Sequence, residues 1–250
     1  MSNLYFDESL AGDDLAPGAL VVLSGDEARH AVTVSRLRVG ESILVGNGAG
    51  VRAECSVRTA TPRSLELVVT AVETRPVVTP GVVLVQALAK GDRDERAVEA
   101  VTEMGIDAVI PWQAERSVSR WTSDKLLKGT ARWSKVAREA AKQSLRFRLP
   151  VVRPLVDITG LVALAANNRV LVLDPEADQR LSRLGIEWLT PLVGGEIVIV
   201  VGPEGGLSPR ELEMLASAGA VRVALGETVL RTSTAGPAAL ALVNAALNRW

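Results

Sequence analysis

The spacing of apolar residues changes character once along the chain. Residues 1–75 alternate over short runs. The stretch "ESILVGNGAGVRAECSVRTA" (41–60) holds two strand-like segments around Asn47-Gly48, a hairpin signal. "GDEARHAVTVSR" before it has the spacing of a short helix, and "TRPVVTP", with Pro76 and Pro80, reads as a stiff linker. From there on, uninterrupted apolar runs alternate with helical patterns. The runs are 81–88, 107–112, 169–174, 196–201 and 221–225; the helices are expected over 92–104, 124–146 and 209–218, with a final helix that follows the Thr228–Thr234 segment and runs to Trp250. Continuous strands separated by helices predict an α/β domain with a mostly parallel sheet covered on both faces. A small β-rich domain (1–75) and a larger α/β domain (76–250) are therefore expected.

Composition narrows the chemistry. The chain has 250 residues, 48% of them apolar but only 3% aromatic, so the core is aliphatic. One cysteine, Cys55, excludes an internal disulfide and suits a reducing, cytoplasmic compartment. The start "MSNLYFDESL" lacks the basic and apolar regions of a secretory signal. The apolar runs fall short of the ~20 residues of a membrane span, so no membrane partner is expected. With His30 and Cys55 as the sole His and Cys, no metal site is expected and a Ser-His-Asp triad is disfavoured.

Two glycine turns stand out. "EIVIVVGPEGGLSPREL" runs from a buried strand through Gly202-Pro203-Glu204-Gly205-Gly206 into a helix with Ser208 as N-cap, Pro209 at its first position and Glu211 closing a capping box. It has neither the P-loop nor the GxGxxG spacing, and Glu204 opposes a phosphate. The turn suits backbone approaching a purine ring or a sulfonium, or else simply precedes a capped helix. "VALGETVLRTSTAG" (223–236) ends a second strand at Gly226 and sets Arg231 among Thr232, Ser233 and Thr234. Read as the loops of two neighbouring strands at the carboxyl edge of one sheet, the pair forms a ligand site. Arg231 then orients a substrate or stabilises negative charge developing on it, or else makes a structural salt bridge or a helix-capping contact.

The net charge of −1 hides an asymmetry. Residues 116–148 carry ten basic and two acidic residues, +8, so the remainder carries −9. On a helix, positions 125, 128, 132, 135, 139, 142 and 146 fall within an arc of about 100°, and all but Glu139 are basic. Leu126, Trp133, Ala137, Ala140, Ala141 and Ser144 form the opposite, core-facing stripe. A nearly one-signed face favours RNA over a merely solvated surface, with Arg29, Arg36 and Arg38 as a possible extension.

"VGPEGGLSPREL" and "LGETVLRTSTAGPAALALVN" together resemble the signature of the ribosomal RNA small subunit methyltransferase E family, SPOUT-class enzymes that methylate N3 of a uridine in 16S rRNA. "HAVTVSRLRVGE", "KGDRDERAVEAVTEMGIDAVIPWQAERSV" and "RWSKVAREAAKQSLRFRLP" extend the resemblance over nearly the whole chain. It implies a PUA-like N-terminal domain, a C-terminal trefoil knot, S-adenosylmethionine as cofactor, the small ribosomal subunit as partner and a homodimer. It further implies that Val201, Gly202, Glu204, Gly205, Leu225, Gly226, Leu230 and Thr234 hold the cofactor and that Arg231 faces the uridine. Arg36, Lys90, Arg93, Lys128, Arg132, Lys135, Gln143 and Arg146 are then on the RNA side. Ser233 stands where the family often has an acidic residue, which leaves Glu204, Glu227 or solvent as the base.

Overall fold

The computed structural model describes residues 4–189 and 194–250. The chain divides into two compact units: Met1–Val77 with Ala141–Leu149, and Val78–Ala140 with Pro150–Trp250.

The first unit is a five-stranded sheet of β1 (Leu4–Phe6), β2 (Leu20–Ser24), β3 (Ser42–Gly46), β4 (Val51–Thr61) and β5 (Ser64–Thr74), in the order β1-β3-β4-β5-β2. A short helix, α1 (Gly25–Arg29), follows β2. The β3–β4 hairpin turns at the expected dipeptide. The Asn47 side-chain oxygen accepts from the amides of Ala49 and Val51, and Gly48 takes a positive φ of 68°. Alternate residues of β2, β3 and β5 point inward, so Val21, Leu23, Ile43, Val45, Leu65 and Leu67 form the core with Cys55. Burial pushes the Cys55 thiol up to about 11, which leaves it protonated and inert. The segment 141–149 belongs to this unit, which the sequence pattern did not suggest: Ala141 and Leu149 pack with Leu4 and Phe6.

The second unit is a six-stranded parallel sheet of β6 (Val82–Ala87), β7 (Ala108–Trp112), β8 (Val151–Val152), β9 (Arg169–Leu173), β10 (Ile197–Val201) and β11 (Val221–Val223), in the order β11-β9-β10-β6-β7-β8. Its helices are α2 (Arg93–Glu103), α3 (Asp124–Gln143, whose last three residues count with the first unit), α4 (Ile158–Ala165), α5 (Ile186–Leu189), α6 (Pro209–Ser217) and α7 (Thr232–Ala246). The uninterrupted apolar runs have a direct cause. Val82 and Leu84 face a core shared with α2 and α7, while Val83 and Val85 face one shared with α4 and α6. In the central strands neither face of the sheet meets water, so neither parity is polar; the edge strands β8 and β11 keep exposed residues, Val151 and Arg222.

Two expectations are corrected here. The strands ending at Gly202 and Gly226 are not neighbours, because β9 pairs with both β10 and β11 and lies between them. The long helix stops at Gln143 rather than 146, with Leu145 at φ 55°, so Arg146 lies beyond it. Of its expected inner stripe, Trp133, Ala137, Ala140 and Ala141 are buried, whereas Leu126 is partly exposed and Ser144 lies beyond the helix.

Candidate functional site

Strands β9, β10 and β11 all end at the carboxyl edge of the parallel sheet, where a cavity of about 790 Å³ opens. Its wall takes Val201–Leu207 from the loop after β10, Leu225–Thr232 from the loop after β11, and Asp174–Glu176 from the loop after β9. The intervening strand thus widens the site rather than splitting it.

The first loop is tightly held. The Trp112 indole donates to the Val201 carbonyl at 2.9 Å, and the Gly206 amide donates to the Pro203 carbonyl at 2.9 Å. The Arg116 guanidinium donates to the carbonyls of Gly205 and Leu207 at 3.0 and 3.3 Å. At the start of α6 the capping box is complete. The Ser208 hydroxyl accepts from the Glu211 amide, and the buried Glu211 carboxylate accepts from the amides of Ser208 and Glu115. Glycine is favoured at 206, where φ is 68°, and at 202 a Cβ would come within 2.7 Å of a terminal methyl of Leu207, which would have to turn away.

The second loop is built differently. Among the described residues, no hydrogen bond involves the backbone amides or carbonyls of Leu225 to Leu230. The loop is tied down at its far end. The buried Thr232 hydroxyl donates to the Gly202 carbonyl at 3.0 Å and accepts from the Gln86 side-chain amide at 2.8 Å. Thr232 therefore joins the two glycine loops to the end of β6.

Charges on the wall fall into two groups. Arg93 pairs with Glu204 at 2.8 Å, Arg222 with Asp174 at 2.6 Å and Arg180 with Glu227 at 3.5 Å. Burial alone would raise the Glu204 carboxyl. Its own amide, the Lys90 amide and the Arg93 guanidinium outweigh that and hold it below the usual range. Arg231 and Glu176, by contrast, have no ion pair or side-chain hydrogen bond among the described residues. Arg231 is the N-cap of α7, with φ −65° and ψ 152° and no capping bond from its side chain. A cation at that end faces the positive pole of a helix, which disfavours it by about 0.3–1 kcal/mol. Arg231 and the α7 N-terminus set a positive field that suits an anionic or charge-developing group, while Glu176 and Glu204 on the same wall set a negative one.

Of the residues expected to hold a cofactor, Val201, Gly202, Glu204, Gly205, Leu225, Gly226 and Leu230 all line the cavity, with Arg231. Thr234 does not. The helix begins at Thr232, so 232 and 235 share the cavity face while 234 turns out to solvent. Of the residues expected on the RNA side, only Arg93 reaches this wall, and it does so as the partner of Glu204. Lys90 supplies its amide to Glu204 and leaves its side chain exposed. Lys128, Arg132 and Lys135 are exposed on α3, with Arg132 paired to Glu95 at 2.7 Å. In the first unit, Arg36 and Gln143 are exposed and Arg146 is partly buried; Arg36 adopts φ 56°. The charged stripe is shorter than the helical arc implied, because Lys142 is buried against Glu27 at 3.1 Å and lies over the Tyr5 ring.

Sequence reasoning missed the Asp174-Pro175-Glu176 wall and Arg116. The first had a signal, since "RVLVLDPE" is a buried strand followed by an Asp-Pro turn. Arg116 had none beyond its charge. Among the described residues, no group of three or more His, Cys, Asp or Glu could hold a metal ion, and no helix is long and apolar enough to cross a membrane.

Comparison with known proteins agrees with this geometry. Residues 78–244 match the family model described as an RNA methyltransferase domain, and residues 23–70 match that of an RNA methyltransferase PUA domain. The chain is 44% identical to the ribosomal RNA small subunit methyltransferase E of Mycobacterium bovis, over 93% of this chain and 89% of that one. It is 31% identical to the protein of the same name from Bacillus subtilis, over 96% and 95%. The crystal structure of the Neisseria gonorrhoeae protein of that name, bound to S-adenosylmethionine, superposes with a TM-score of 0.85 at 26% identity over 98% of both chains.

Proposed function

The chain belongs to the ribosomal RNA small subunit methyltransferase E family, and on that premise we propose that it methylates N3 of one uridine in 16S rRNA. S-adenosylmethionine is its cofactor, and when bound it supplies an electrophilic methyl group on a sulfonium. The cavity fits that molecule. The unbonded backbone groups of Leu225 to Leu230 would meet a purine edge, and Leu173, Val201, Leu225 and Leu230 provide apolar wall for its ring. The Glu176 carboxylate and the ionised Glu204 suit a cationic group better than a phosphate.

The protein's own contribution centres on Arg231, and its lack of a partner on the cavity wall is the observation that carries the proposal. A uracil N3 becomes nucleophilic as it loses its proton, and the negative charge then spreads to the flanking carbonyl oxygens. A guanidinium beside the base, backed by the α7 N-terminus, favours that anion. Glu204 is occupied by Arg93 and the Lys90 amide, so it serves the loop's architecture and proton removal falls to solvent or Glu227. Lys128, Arg132 and Lys135 would track the RNA backbone. A homodimer, a cytoplasmic location and a trefoil knot formed by the loops after β10 and β11 belong to the same proposal.

The test is methyl transfer from labelled S-adenosylmethionine to small ribosomal subunits, free 16S rRNA and tRNA from cells lacking the gene, with mass analysis of the nucleosides. N3-methyluridine in 16S rRNA is the expected product. A ribose-methylated product would replace the proposal with 2′-O-methyl transfer. Cofactor binding without transfer to any RNA would refute it.

A further inference from the structure

Strand β6 is apolar except at one position. Gln86 is fully buried near its carboxyl end, in register with Val201 of β10 on one side and Pro111 of β7 on the other. By parity it belongs with Val82 and Leu84, on the face of the sheet that packs against α7.

Its side-chain amide has one possible orientation. Nε2 donates to the Ala87 carbonyl at 3.2 Å and to the Thr232 hydroxyl at 2.8 Å, and a carbonyl can only accept. The Thr232 hydroxyl therefore has its own proton left for the Gly202 carbonyl, 3.0 Å away. The result is a directional chain from Gln86 to Thr232 to Gly202, running from the middle of the sheet to the first residue after β10. The other end of the amide is left unsatisfied: Gln86 Oε1 is buried and has no hydrogen-bond partner among the described residues. Such an atom destabilises a core, and an aliphatic side chain would not carry it. Packing alone does not account for a glutamine here.

The end of the chain lies beside Arg231. That residue is the N-cap of α7, and its side chain makes no capping bond, so its aim depends on where the backbone places it. Thr232, the next residue, is what ties that backbone to the sheet. The start of α7 is seated at the same spot, since a Cβ on Gly236 would come within 3.0 Å of Leu84 and 3.5 Å of Val201. On the reading of the chain as a uridine methyltransferase, we propose that Gln86 is a positioning residue for Arg231. It is not on the cavity wall and touches neither cofactor nor base. It fixes the Thr232 hydroxyl, and through it the backbone from which the guanidinium reaches the cavity. Without that anchor the guanidinium spends less time against the base, and the uracil anion is less favoured.

The test is a double-mutant cycle between Gln86→Met, which keeps the length and removes the amide, and Arg231→Ala. Methyl transfer is measured under single turnover with saturating S-adenosylmethionine. Gln86→Met alone should slow transfer by roughly 10–10²-fold, the scale of a misplaced catalytic group. The rise of rate with pH should also move to higher pH, because the anion has lost support. Cofactor affinity by calorimetry should stay within about threefold, since Thr232 still holds Gly202, and in the Arg231→Ala background Gln86→Met should change the rate by no more than that. Equal losses in both backgrounds, or an unmoved pH profile, would overturn the proposal, because both describe a residue that only supports the fold. NMR relaxation of the backbone amides needs no turnover. Arg231 and Thr232 should gain fast motion in Gln86→Met, and unchanged relaxation would also overturn it. Gln86→Leu supplies the same comparisons if the methionine variant fails to fold. Nucleoside analysis of the wild-type product separates the two readings. N3-methyluridine with an additive cycle removes only the positioning role, and a ribose-methylated product with a coupled cycle removes only the assigned base.

Discussion

Between Val201 and Leu207 the carbonyls are held by Trp112, Thr232, the Gly206 amide and Arg116, whereas between Leu225 and Leu230 no backbone group has a partner among the described residues. Both loops follow a parallel strand and precede a helix, and both contain glycine. The difference lies in what the polar groups are for. A loop whose hydrogen bonds close internally has few left for a ligand and serves as a rigid wall. A loop whose bonds are left open next to a cavity has its full inventory available to read one. Arg231 follows the open loop, and Thr232 beside it joins the two.

The hardest test of that division is Arg231→Ala. If the open loop carries the chemistry, turnover falls by about 10²–10³-fold, the scale of losing one preorganised charge-stabilising donor. Cofactor affinity, measured by calorimetry, should stay within about threefold. Turnover near wild type would reassign the reaction to the closed loop. Next in size is Thr232→Val, which keeps the shape and removes the joint. It leaves the fully buried Gln86 amide and the Gly202 carbonyl short of a partner, at a cost of about 1–3 kcal/mol. Denaturant unfolding should show the loss, and cofactor affinity should fall with it.

Ser208→Ala tests the closed loop as scaffold. Loss of the capping bond should cost about 0.5–2 kcal/mol with little change in kcat. The smallest effect is expected at Gly226, where an added Cβ meets nothing within 4 Å and φ is not positive. Gly226→Ala should change stability by less than about 0.5 kcal/mol. If the ligand packs on the open loop, the same substitution weakens cofactor binding, and a wholly neutral result would place the ligand elsewhere on the wall.

What the sequence made legible follows from how local each cause is. The strands of the second unit were readable because burial on both faces writes an unbroken apolar run. The start of α6 was readable because Ser208, Pro209 and Glu211 act within four residues. Sheet order was not, since the insertion of β9 depends on pairings between residues far apart, such as Ile199 with Leu171. Lys142 looked like one more cation on a helical stripe, and its partner Glu27 lies 115 positions away. Thr234 lies off the cavity wall by helix phase: once Arg231 is the N-cap, Thr232 and Ala235 face the cavity. The short β8 and α4 carry too few residues for periodicity to reveal them.

The first unit is discontinuous in the chain, and this bears on the order in which the protein comes into being. Leu4 and Phe6 are among its first residues, yet Ala141 and Leu149 complete their cluster. During synthesis the five strands emerge long before the segment that closes their packing. The N-terminal unit therefore reaches its final form only after more than half of the chain has left the ribosome. A fragment cut at the Pro76–Pro80 linker would lack that closing segment and leave Leu4 and Phe6 without the side chains of Ala141 and Leu149.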